Sequence, residues 1–233
     1  MFSDDSEGIP PEELVAKYKN LQDQLRVKAL EGIDKINWST LHHAYGEASD
    51  FPALLLASFS SEERDREFAI HLLFGTIWHQ GTVYEASAYA VPFLFKALEA
   101  SEAPDKTSIA ILLACLADGH SYSDVYALSD EKSEKIWREI LAKDNRELEP
   151  EIARELEYVY ATREVVGEGL HLLYPYLKDE NASYNVAKAL AFYPERKAET
   201  IPLLEEAFAS INDEYAKEEI QATLVKLRES KEP

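Results

Sequence analysis

Cysteine is nearly absent from this chain. Cys115 is the only one in 233 residues, so no internal disulfide can form and no CxxC metal or redox pair exists. It lies in the apolar run Ile111-Leu112-Leu113-Ala114-Cys115-Leu116, the setting of a buried structural thiol. Glycine is also scarce, at eight residues. There is no glycine-rich loop to cradle a phosphate and no Gly-x-Ser-x-Gly nucleophile elbow. No apolar run approaches the roughly 20 residues that span a membrane. The opening Met1-Phe2-Ser3-Asp4-Asp5-Ser6-Glu7 lacks the basic and apolar stretches of a signal peptide, so the expected compartment is the cytoplasm. Positive charge is short too: 24 Lys and Arg stand against 44 Asp and Glu, a formal net charge of −20. Such a surface repels phosphate backbones and anionic lipid, so neither nucleic acid nor membrane is expected as a partner. It favours encounter with cationic proteins, raising association rate more than affinity.

What the chain has in quantity is helical pattern. Ala-x-x-Leu with apolar flanks occurs as Phe68-Ala69…Leu72, Ile109-Ala110…Leu113, Ile152-Ala153…Leu156 and Val186-Ala187…Leu190, and loosened as Ile220…Ala222…Val225. The alanines are 41, 43, 34 and 35 residues apart, a drifting period that fits repeated helix pairs. The spacing puts a small and a large residue on one helix face. An apolar-Pro-x-Leu pattern runs in phase, at Phe51–Leu54, Val91–Leu94, Tyr174–Leu177 and Ile201–Leu204. Each unit therefore reads as a first helix with a proline, a turn, and a second helix. Pro52 and Pro202 fit near helix starts, where no amide partner is lost. Pro92 and Pro175 fall deeper and are expected to bend their helices. The third unit lacks the proline, and its first helix is expected around Ile136–Leu141.

This two-helix unit resembles a HEAT repeat over roughly residues 50 to 229. The cues are the proline of the first helix, the small-residue spacing of the second, and the repeat length. The segment from His79 through Tyr84 and Glu85 to Leu94 also resembles bacterial HEAT-repeat domain proteins, which implies a fold and no activity. The expected fold class is all-α: a right-handed α-α superhelix (HEAT-like solenoid) of about five helix pairs. Residues 1–48 form an N-terminal helical cap, continuous with a solenoid over 49–233. Within the cap, Leu14, Tyr18, Leu21 and Leu25 give an amphipathic helix from about Pro11 to Leu30, ended by Gly32. A short helix is expected around Ile36–His42. At the far end, Glu229 to Pro233 should fray. The segment Gly119–Ser133 exceeds an ordinary inter-helix turn, and long connections are more often functional.

Four of the six histidines lie at turns entering a first helix: His42 and His43, His79, and His120. Alternation of antiparallel helices puts these turns on one edge, roughly 10 Å apart. Aromatic residues accompany them, and aromatics beside polar turns are typical of protein-binding hot spots. The candidate partner-binding residues are Trp38, His42, His43, Tyr45, Trp78, His79, Gln80, Tyr84, Glu85, His120 and Tyr122. A structural reading stands beside this one. Thr82-Val83-Tyr84-Glu85 fits a capping box, Gly46, Gly81 and Gly119 fit turns, and ring nitrogens at helix ends often meet unpaired carbonyls. His71 and His171, inside apolar helical runs, are expected in the core. His79 with Glu85, or Asp118 with His120 and Asp124, repeats no recognised ligand spacing, so no metal or other cofactor is expected.

The HEAT-type di-iron hydroxylases carry repeated His-Glu pairs, and this chain has no His-Glu dipeptide. The expected function is non-catalytic recognition of a basic protein partner by a scaffold or adaptor. A bacterial immunity protein masking a cationic toxin is one form of it. The alternative is a HEAT-like accessory enzyme or ligand binder, such as a bilin lyase-like protein.

Overall fold

The computed structural model describes residues 10–21 and 27–230, and within them the chain is mostly helical. Expectations for residues 1–7, for Leu25 and for 231–233 lie outside the described residues. Helix α1, Pro11–Leu21, buries Leu14 and Tyr18 against α2, Phe51–Ala57, and α3, Glu63–Ile77. Its anchor is polar. Asp65, buried at the start of α3, accepts hydrogen bonds from Lys17 Nζ at 2.6 Å and Tyr18 Oη at 2.8 Å. Burial raises the Asp65 carboxyl, but those two donors hold it below its ordinary value.

The single cap helix expected to Leu30 is not formed. Short 3-10 turns at Lys28–Leu30, Ile33–Lys35 and Trp38–Thr40 replace its end and also the helix expected around Ile36–His42. Gly32 precedes the second of these turns at φ +89°.

Two hairpins follow the same logic at two places. Strands β1, His42–His43, and β2, Gly46–Glu47, pair before α2; β3, Trp78–His79, and β4, Thr82–Val83, pair before α4, Glu85–Glu99. The cap of α4 is not the Thr82–Glu85 box. Tyr84 N donates to Ser87 Oγ at 2.8 Å, and Ser87 Oγ donates to Ile77 O at 2.6 Å. One buried serine thus ties the end of α3 to the start of α4.

The remaining helices are α5, Lys106–Asp118; α6, Glu131–Lys143; α7, Leu148–Glu168; α8, Ser183–Leu190; α9, Lys197–Ser210; and α10, Glu214–Glu229. Aspartates cap three of them: Asp105 accepts from Ser108 N, Asp130 from Lys132 N and Ser133 N, and Asp213 from Ala216 N. Pro52 lies in the first turn of α2 as expected. Pro202 does not begin a helix; it lies inside α9, as Pro92 does inside α4. Pro175 falls in a 3-10 stretch, Leu170–Lys178.

Helix α4 packs between α5 and α7, and α5 packs on α7 and α8. Helix α8 packs on α10, and the 170–178 stretch bridges α8 and α9. The four leucines of the proline pattern, Leu54, Leu94, Leu177 and Leu204, are all buried. So are Ala69, Ala110 and Ala187. Ala153 and Ala222 are exposed. In α7 the buried face runs through Val159, Thr162 and Val166, and in α10 through Ile220, Thr223 and Leu227. A threonine takes the small-residue place in both, and Thr223 Oγ1 donates to Ala187 O at 3.1 Å. His71 and His171 are exposed rather than in the core, because their helices turn other faces inward. Cys115 is buried as expected, and burial pushes its thiol up to about 12.

Helix α6 stands apart. Among the described residues it packs on α7 and on the π-helical turn Ser123–Ala127. It shares a small cluster of Ala127, Leu141 and Leu148, with Trp137 and Ile152 beside it, separate from the main core.

Candidate functional site

The two hairpins and the segment after α5 are joined edge to edge. Ala44 N donates to Thr76 O at 3.0 Å, which fixes the first hairpin to the end of α3. His120 N donates to Gly81 O at 2.9 Å, and Val83 N donates to His120 O at 3.3 Å, so His120 adds a parallel bridge to β4. Tyr45 Oη lies 3.3 Å from His79 Nδ1, and Tyr126 Oη donates to Gln80 O at 3.3 Å. The three histidine turns are thus joined in one ledge.

Gln80 takes φ +52° and Gly81 φ +92°. The left-handed pair closes a two-residue hairpin turn, in which the first place more usually holds Asn or Asp. Gly81 is required twice over: a β-carbon there would come within 2.3 Å of the His120 ring.

The candidate residues divide by burial. Tyr45 is 70% exposed, and His42 and Gln80 are also exposed. His79, Trp78, Tyr84, Glu85, His120 and Tyr122 are partly buried. Two candidates belong to the interior. Trp38 is buried against Phe51 and Phe93, with its indole N–H donated to Ile33 O at 2.9 Å. His43 is buried with both ring nitrogens satisfied, Nε2 at 3.0 Å from Asp50 Oδ1 and Nδ1 accepting from Tyr45 N at 3.0 Å. These two hold the hairpin and present nothing outward. Trp78 Nε1, Thr82 Oγ1 and His120 Nε2 are buried polar atoms with no hydrogen-bond partner among the described residues.

Beside the ledge lies a cleft of about 700 Å³, between Thr82–Glu85 and α7. His42, Tyr84, Glu85 and Tyr122 line one part; Arg146, Glu151, Arg154, Glu155 and Tyr158 line the other. Glu85 Oε2 accepts from His42 N at 3.2 Å and lies 3.3 Å from His42 Nδ1. Glu151 is buried and takes both Arg146 and Arg154. Glu155 accepts from Ser121 Oγ and Ser123 N, each at 2.7 Å, and from Ser123 Oγ at 2.9 Å. Burial, with the charge of Glu155 added, pushes the Tyr84 phenol up to about 12. Tyr158 is raised chiefly by burial. Both phenols therefore stay protonated near neutral pH.

The α7 wall was not singled out in the sequence, although a signal is present. Glu151, Arg154, Glu155 and Tyr158 recur at three- and four-residue spacing, one polar face of a helix. Arg146 is placed by a turn in which Asn145 adopts φ +53° and Arg146 N donates to Leu141 O at 2.9 Å. Among the described residues, no group of three His, Cys, Asp or Glu is arranged to hold a metal ion. Comparison of the chain with protein-family models, with curated proteins and with solved structures finds no match.

Proposed function

We propose that this chain is a HEAT-like helical repeat protein that recognises a basic protein partner without catalysing a reaction. The observation that carries the reading is the ledge. Tyr45 stands 70% exposed on a hairpin whose backbone is fixed to α3, and its ring meets His79 edge-on at 5.3 Å. An aromatic held by a rigid frame loses little entropy when a partner covers it. Exposed Tyr126, Val125 and Leu128 extend the apolar surface away from the ledge. The net charge of −20 supplies the long-range attraction for a cationic partner.

The test is co-purification from native cytoplasm at low and high salt, using the wild type and the variants Tyr45→Ala and His79→Ala. A basic protein should be retained at low salt and released at high salt. Each variant should weaken capture at least about tenfold while its melting temperature stays within a few degrees. Unchanged capture by both folded variants would overturn the ledge as the recognition surface.

A further inference from the structure

The cleft beside the ledge has a charge arrangement that one ligand class fits. Arg146 and Arg154 share one carboxylate, Glu151, through one terminal nitrogen each. Two guanidinium groups on one carboxylate leave N–H donors to spare, with Asp144 and Glu155 also acting on Arg146. The hydrogen bonds to Glu155 come from two serine hydroxyls and one backbone amide, and its charge also acts on Arg146. Glu85 accepts from His42 N and has the His42 imidazole beside it. A simple cation entering the cleft meets two arginines. A simple anion meets three carboxylates. A molecule carrying both charges satisfies both sets.

Thr82 supplies an independent pointer. It lines the cleft and is 1% exposed, and its Oγ1 has no partner among the described residues. Buried hydroxyls are nearly always paired, so an orphan at a cleft calls for one. The volume, about 700 Å³, lies within the range of small-molecule sites, and Tyr84, Tyr122 and Tyr158 give it aromatic surface.

We infer that this cleft binds a free amino acid, its carboxylate on Arg146 and Arg154 and its ammonium group between Glu85 and Glu155. A peptide terminus carries only one of the two charges at its end, so the free zwitterion is the form that matches. The inference does not depend on the protein-partner reading, and its test contains no partner.

The experiment is calorimetric titration of the full chain with each standard L-amino acid. The best binder is then repeated as its N-acetyl derivative and as its amide. At least one amino acid should bind saturably, and removing either charge should weaken binding about tenfold or more. Glu85→Gln and Arg154→Gln should each weaken it by a similar factor. Glu85→Gln alters only a partly exposed side chain, so it serves if Arg154→Gln fails to fold. Absence of binding by every amino acid would overturn the inference. So would equal binding of the capped forms, or unchanged affinity in folded Glu85→Gln.

Discussion

His120 concentrates several effects in one residue. Its backbone extends the second hairpin, its ring lies against Gly81, and its Nε2 is buried without a partner among the described residues. Burial lowers its proton affinity, Asp118 and Asp124 raise it, Lys188 lowers it, and the balance is a pKa below the ordinary histidine value. In the unfolded chain the imidazole takes a proton near pH 6.5, whereas the folded chain resists doing so. Between the two values the unfolded state binds more protons, so stability is full above the unfolded pKa and falls as pH drops below it. The melting temperature should therefore decrease from pH 7.5 to 5.5, and decrease less in His120→Asn. Parallel profiles for the two proteins would remove His120 as the cause. At this scale the sequence was partly legible. Turn glycines and neighbouring polar residues marked His42, His79 and Tyr45; His42 and Tyr45 are exposed and His79 is partly buried. Trp38 and His43 look alike in sequence but lie inside, because Trp38 packs on Phe51 of α2 and Phe93 of α4, and the strand holding His43 packs on α4. That packing is a tertiary fact, which a one-dimensional pattern does not carry.

At the scale of the element, the small residues on helix faces decide how closely helices approach. Ala110 and Ala187 are fully buried, in α5 and α8, which pack on each other. Replacing either with Phe should overpack that interface and cost about 1–3 kcal/mol, read as a lower denaturation midpoint with unchanged slope. No loss at either position would contradict the packing. Three of the five repeat alanines mark true contacts, and so do all four proline-pattern leucines. The failures share a cause. In α7 and α10 a threonine occupies the close-approach position, and the Ala-x-x-Leu pattern falls on another face of the same helix. An α-helix offers several registers to a short motif, and only the neighbour selects one. The expected capping box failed similarly, since Ser87 reaches both Tyr84 N and the last turn of α3 and so moves the start of α4 inward.

Over the whole molecule, the sign of the charge dominates. Its exposed ion pairs, such as Arg138 with Glu134 and Glu149 or Arg228 with Glu205, are screened by solvent and contribute little to stability. Such pairs leave the acidic excess intact. Duplex DNA titrated at physiological salt should cause no change in anisotropy, and saturable, salt-sensitive binding at micromolar concentration would show that a local patch around Arg196 and Lys197 outweighs the net field. Helical class and charge were legible from composition and period alone. The cleft was not, because its walls come from segments some 60 residues apart whose meeting depends on α7 lying against α4. The position of α6 has a further consequence. Its one buried residue, Leu141, belongs to the cluster with Ala127 and Leu148 outside the main core, so the helix can open while the rest stays folded. Amide hydrogens of residues 131–143 should exchange with solvent far faster than those of 85–99 and 106–118, through a separate sub-global opening. Heat should then melt the chain in more than one cooperative unit, with a calorimetric enthalpy larger than the van't Hoff value.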